Sequence, residues 1–399
     1  MSNPTTPFTK SELMPQEECL EVQRKKGELI IGIPKETSFQ EKRVCLSPDA
    51  VNALTSNGHQ VIIEAGAGLH ANFFDQEYSE AGAQVTRDTK KVFGCPTVLK
   101  VAPPSMDELE LMHPHSTLIS SLQLKTRSKE YFLKISEKRI TALAFDFIKD
   151  PHGSYPIVEA LSEIAGNASV LIASELLANT KDGSGIMFGN ISGVPPTEVV
   201  IIGAGTVGYF AAKAALGLGA NIKVFDSSLT KLRNIKKELG NSIYTSTLQP
   251  KNLLKALKRC DVAIGAVRGK NRSPIIVTET MVENMKKDAV IIDVSIDMGG
   301  CVETSEITSH DFPTLVKYDV IHYCVPNIPS RYARTSSLSI SNIFTPSLLY
   351  IGDEGGIENT LRFDLGIRSG LYAYHGVLTN KSVADWFDLG YRDPNLLIF

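Results

Sequence analysis

Along the chain, short β-branched apolar runs alternate with stretches of helical periodicity. The first run, "LIIGIPKE" (29–36), reads as a strand ending in a proline turn. In "LSPDAVNALTSNG" Ser47 or Asp49 can cap a helix that Asn57-Gly58 ends, and "QVIIEA" supplies the next strand. Further strand-like runs at 97–101, 117–124 and 140–147 extend this into an open α/β domain. Residues 156–178 have helical periodicity over a length that can link two domains, and a glycine-rich loop follows. A second alternation starts with "EVVIIGAGTVGYFAAKAALGLGANIKVFD" and continues through "DVAIGAV", "AVIIDVSIDMGG" and "VIHYCVPN". It predicts a parallel sheet covered on both faces. Beyond residue 334 the helix-rich tail is assigned back to the first domain.

Composition narrows the picture. The chain has 399 residues, 43% hydrophobic and 21% charged, which excludes collagenous and largely disordered classes and allows more than one core. Lys plus Arg is 41 against 44 Asp plus Glu, with no dense basic block, so no nucleic-acid partner is expected. No membrane partner is expected either, because no apolar run is read as reaching the roughly 20 residues that span a bilayer. Residues 1–28 read as an extension without the apolar centre of a secretory signal. Six cysteines without CxxC spacing fit free thiols and a cytoplasmic location, and no metal site is expected.

The chemistry is concentrated in "VVIIGAGTVG". A β-branched strand runs into Gly203, Gly205 and Gly208 in GxGxxG spacing, and a helical run follows. Gly203 permits the tight turn, Gly205 lets a pyrophosphate approach the backbone, and Gly208 lets helix and sheet pack closely. Thr206 and Val207 lie inside this cofactor-binding loop, with the helix N-terminus facing the anion. Asp226 ends the next strand roughly 20 residues on, where a carboxylate accepts from ribose hydroxyls and repels a 2′-phosphate, favouring NAD over NADP. If Asp226 is only a turn residue, Lys231 or Arg233 can still receive a phosphate.

Beyond that motif, "GIPKETSFQEKRVCLSPDAV", "GHQVIIEAGAG", "SEIAGNAS", "IIGAGTVG", "VIIDVSIDMGGCVETSEITSHDFPT" and "HYCVPNIPSRYARTSSLSISN" follow in order. Together they resemble the alanine dehydrogenase and nicotinamide nucleotide transhydrogenase α-subunit family, closest to alanine dehydrogenase. The resemblance implies an α/β fold of two Rossmann-like domains, with a central doubly wound NAD domain (157–333) inserted in a discontinuous substrate domain (29–156 and 334–399). It also implies reversible NAD-dependent conversion of L-alanine to pyruvate and ammonia by a homo-oligomer, a hexamer in that family. Carried over residue by residue, Arg43 in "EKRV" clamps the substrate carboxylate, and Asp297 in "SIDMGG" serves the reacting nitrogen. Ser162 reaches the cofactor from the linking helix, and Asn327 in "CVPNIP" lies beside nicotinamide and substrate.

Two positions break the pattern. The family's substrate lysine, in "KVKEP", aligns with Ala102 of "LKVAPP", and its catalytic histidine, in "LHLA", aligns with Gln123 of "LQLK". Strand alternation would place Lys100 on the face of Ala102 and Lys125 on that of Gln123, so either lysine is a candidate to restore the lost charge. The same losses leave two alternatives open: an imine-reducing opine- or saccharopine-type dehydrogenase with a larger amine, and a catalytically silent NAD-binding protein.

Overall fold

The computed structural model describes residues 27–181, 183–269 and 272–398; the expected extension lies, up to residue 26, outside them. Its strands are β1 (Ile30–Ile33), β2 (Gln60–Glu64), β3 (Gln84–Thr86), β4 (Thr97–Leu99), β5 (Thr117–Ser120), β6 (Thr141–Ala144), β7 (Glu198–Ile202), β8 (Asn221–Phe225), β9 (Tyr244–Ser246), β10 (Val262–Gly265), β11 (Val290–Asp293), β12 (Thr314–Lys317), β13 (Val320–Tyr323), β14 (Leu371–Tyr374) and β15 (Val377–Leu378). They form two sheets, ordered β15-β14-β6-β5-β4-β1-β2-β3 and β12-β13-β11-β10-β7-β8-β9. The chain leaves β1 in one direction and returns to β4 on its other side; β7 and β10 repeat the arrangement. Each sheet thus has a point where strand order reverses, and the crevice at the carboxyl ends there is where such folds bind ligands.

The near-continuous apolar strands follow from burial on both faces. In the first sheet Leu99, Ile119 and Leu143 enter one core while Val98, Leu118 and Ala142 enter the other. In the second, Val199, Ile201 and Ile264 face one core and Val200, Ile202 and Ala263 the opposite one. Both sheets are mostly parallel and mixed only at the edges, where β12 runs antiparallel to β13, β14 to β6 and β15 to β14. The tail therefore adds strands to the first sheet, and its helix Ala333–Asp353 buries Ile340, Phe344 and Leu348 in that core.

The helix Pro156–Leu177 is long and apolar enough by composition to cross a membrane. Here it packs instead against the helix Thr206–Gly217. Gly166 permits the approach, since a Cβ there would lie 2.5 Å from the Val207 carbonyl oxygen.

Candidate active site

The glycine loop sits where β7 ends beside β10. Gly203 has φ +112°, and a Cβ on it would meet the Ala266 oxygen at 2.3 Å. On Gly208 a Cβ would lie 1.8 Å from the Gly203 oxygen, so this glycine lets the helix close on the turn. Gly205 differs: a Cβ there meets nothing within 4 Å. The space over it is open, and Thr206 and Val207 begin the helix whose free amide ends face it. The Asp226 carboxylate is buried and braces the loop, accepting from the Ala204 amide at 2.7 Å and the Ser228 amide at 2.7 Å. Ser162 lies inside the linking helix, not at its cap, four residues before Gly166 and so on the face turned toward Val207.

Across the crevice, the loop after β1 presents Arg43. Its Nε and Nη2 donate to Glu41 Oε1 at 2.7 Å and Oε2 at 2.6 Å, a bidentate pair that is nearly fully buried. Burial alone would raise the Glu41 carboxyl, but the guanidinium holds it below its ordinary value. Serines aim this loop. Ser330 accepts from the Lys42 amide at 2.9 Å, Ser337 from Val44 at 2.9 Å and Ser341 from Ser47 at 3.0 Å. Ser337 and Ser341 are one helical turn apart, which accounts for the serine spacing in "RTSSLSISN".

Asn327 ties the two sides together, its Nδ2 donating to Glu41 Oε2 at 3.0 Å and its amide to Asp297 Oδ1 at 2.9 Å. Asp297 follows β11 on a turn closed by Gly299 (φ +91°) and Gly300 (φ +76°). Solvent reaches it, yet the surrounding protein raises its carboxyl, opposed by the Asn327 amide and the Arg43 charge. Arg43, Asn327 and Asp297 therefore converge on one site.

The lysines do not lie as strand alternation suggested. The strand β4 ends at Leu99, and Lys100 is buried with its Nζ 2.7 Å from Glu36 Oε2 and 3.7 Å from Glu108 Oε2. Burial pushes Glu36 up to about 7 against the pull of Lys100. Likewise β5 ends at Ser120; Gln123 is exposed at φ 45°, and Lys125 is exposed in the turn that follows. Ala102 is only 1% exposed.

Two groups escaped the sequence reading. Glu41 carries a visible signal, since it is two residues from Arg43 in an extended segment and shares its face. Asp146, just past β6, accepts from the Leu122 amide at 3.1 Å, next to Gln123. Burial raises its carboxyl to about 6, with Leu122, Arg43 and Arg268 pulling the other way.

The geometry has known counterparts. Residues 32–165 match the family "Alanine dehydrogenase/PNT, N-terminal domain", and 169–381 match "Alanine dehydrogenase/PNT, C-terminal domain". Alanine dehydrogenase 2 of Staphylococcus aureus (strain USA300) is 36% identical over 364 residues, 91% of this chain and 97% of that one. A solved L-alanine dehydrogenase superposes with a TM-score of 0.85 at 34% identity, covering 90% of this chain and 99% of its own. The transhydrogenase from Sinorhizobium meliloti, at 22% identity and a TM-score of 0.75 over 88% of this chain and 99% of its own, shares the fold. With the family matched across both sheets, the chain belongs to the alanine dehydrogenase/PNT family, on its alanine dehydrogenase side.

Proposed function

We propose that the protein is an NAD-dependent alanine dehydrogenase, oxidising L-alanine with water to pyruvate and ammonia and running in reverse. The observation that carries this is the convergence of Arg43, Asn327 and Asp297, in a chain whose glycine loop leaves open space over Gly205. Gly203, Gly205, Gly208 and the first turn at Thr206 and Val207 would hold the pyrophosphate, Asp226 the adenosine ribose, and Ser162 the nicotinamide side. Bound there, NAD supplies the hydride acceptor.

The chain's own residues do the rest. Glu41 occupies the Nε–Nη2 edge of Arg43, which leaves the Nη1–Nη2 edge for a substrate carboxylate. That grip orients Cα, and the Asp297 carboxylate takes a proton from the substrate ammonium so that the nitrogen lone pair can drive hydride departure. Ala102 is covered by protein, so loss of the lysine has not opened a pocket there, and this favours a small substrate over the bulkier amine of an opine-type enzyme. Lys100 and Lys125 have no part in this scheme, and Gln123 acts at most as a hydrogen-bonding neighbour. The same reading carries the two-part domain division, a cytoplasmic location consistent with the five buried free cysteines among the described residues, and a homo-oligomer, a hexamer by kinship.

The test is NADH oxidation by the purified protein with pyruvate and excess ammonia, followed by absorbance. Turnover requiring both co-substrates supports the reading; none, from a folded NADH-binding preparation, sinks it. Arg43→Lys should raise KM for pyruvate about 10- to 100-fold, since a charge-assisted bidentate contact contributes about 1.5–3 kcal/mol.

A further inference from the structure

Oxidising an amino acid to a keto acid needs a second proton carrier. After hydride leaves Cα, water must attack the iminium, and the amine must then be protonated to depart. Gln123 stands where the family places a titrating imidazole, and an amide exchanges no proton at neutral pH. The structure offers another group in that neighbourhood. Three adjacent parallel strands end side by side, β4 leading to Ala102, β5 to Gln123 and β6 to Asp146. Asp146 Oδ2 accepts from the Leu122 amide at 3.1 Å, so the carboxylate is pinned to the loop that carries Gln123. The charges acting on it are Arg43, from the loop after β1, and Arg268, from the loop after β10 in the other sheet. Asp146 is thus a half-buried carboxylate under the influence of arginines from both sides of the crevice.

We propose that Asp146 is the water-activating acid-base residue of this enzyme, in the place of the absent histidine. This rests on the dehydrogenase reading above. As water's oxygen bonds to the iminium carbon, one water proton passes to the Asp146 carboxylate. The same proton returns to the carbinolamine nitrogen. Asp297 has by then passed the ammonium proton to solvent; the C–N bond breaks with its electron pair going to nitrogen, the hydroxyl gives its proton to Asp297, and the O–H pair becomes the C=O bond. Ammonia and pyruvate leave, Asp146 ends ionised as it began, and this second proton on Asp297 also goes to solvent, so two protons are released for each NADH formed. A carboxyl raised by burial to about 6 suits both halves of this cycle near neutrality.

The experiment compares wild type, Asp146→Asn and Asp146→Glu in alanine oxidation across pH, with NADH fluorescence titration and thermal melting as controls on the fold. In the wild type kcat/KM should fall as pH drops through about 6, where the base becomes protonated. Asp146→Asn should bind NADH normally, lose about 100-fold or more in kcat and lack that acid limb. Asp146→Glu should retain part of the activity with the limb displaced. If Asp146→Asn stays within threefold of wild type with the same profile, Asp146 is not the carrier although the dehydrogenase stands. A wild type that turns over neither alanine nor pyruvate with ammonia overturns the underlying reading, and this assignment with it. Should Asp146→Asn fail to fold, an acid limb unchanged in Asp146→Glu overturns the proposal.

Discussion

Lys100 carries its charge into the interior of the first sheet, and that placement determines what its removal does. Its partner Glu36 has a folded-state carboxyl near 7, above the ordinary value of 4.5, so Glu36 favours folding below the ordinary value and that contribution is lost as pH rises through about 7. Lys100 opposes this rise. In Lys100→Ala burial acts on Glu36 without its cation, the folded-state carboxyl moves higher, and the loss with pH extends further into the alkaline range. Chemical denaturation should therefore find the variant destabilised by about 3 kcal/mol at pH 9, in the range for a broken buried pair, and by less at pH 6. An equal loss at both values would show that packing alone was removed. None of this is visible in "LKVAPP", because Glu36 is 64 residues away in the chain. Asp146 escaped for the same reason, since burial in the folded chain raises it, whereas Arg43 and Asp297 were singled out because their motifs are local.

At the scale of the element, the glycine loop separates two jobs that the spacing of three glycines cannot. Gly208 is closed by protein, with a Cβ 1.8 Å from a carbonyl oxygen, whereas the space over Gly205 holds no protein atom within 4 Å. Gly205→Ala should therefore melt within a degree or two of wild type while losing at least tenfold in NADH affinity by fluorescence titration, because its methyl enters the space the pyrophosphate needs. Gly208→Ala should lower the melting temperature itself. If Gly205→Ala binds NADH as well as wild type, the open space is not the cofactor's. Strand and helix identities were legible wherever β-branched runs met turn residues. Strand lengths were not: the runs at 97–101, 117–124 and 140–147 end early, at Leu99, Ser120 and Ala144, because polar groups of other elements capture the backbone beyond. Glu36 takes the Val101 amide and Asp146 takes that of Leu122. Periodicity two placed Lys100 and Lys125 in the cleft only by assuming those strands went on.

For the whole molecule, the two sheets bring the carboxyl ends of their strands to a common crevice, so the site is made by both and needs their relative position held. Within the chain Ser330, which takes the Lys42 amide, and the Asn327 bridge do this. The surface suggests a further support from outside. Scattered exposed apolar side chains need no explanation, but here Leu171 is 53% exposed, Met187 74% and Val194 58%, all on the linking helix or the loop leading from it. Burying such groups between copies would recover roughly 25 cal/mol for each Å² removed from water. It would also fix the helix on which Ser162 and Gly166 face the cofactor loop. Sedimentation velocity at micromolar concentration should accordingly give a species at a multiple of 43.5 kDa, six copies on the family's pattern. Dilution that dissociates it should lower the NADH-dependent activity in step, since the linking helix would lose its outer support. A monomer with full activity would mean that Ser330 and Asn327 suffice to hold the crevice, and that the exposed apolar side chains serve something other than assembly.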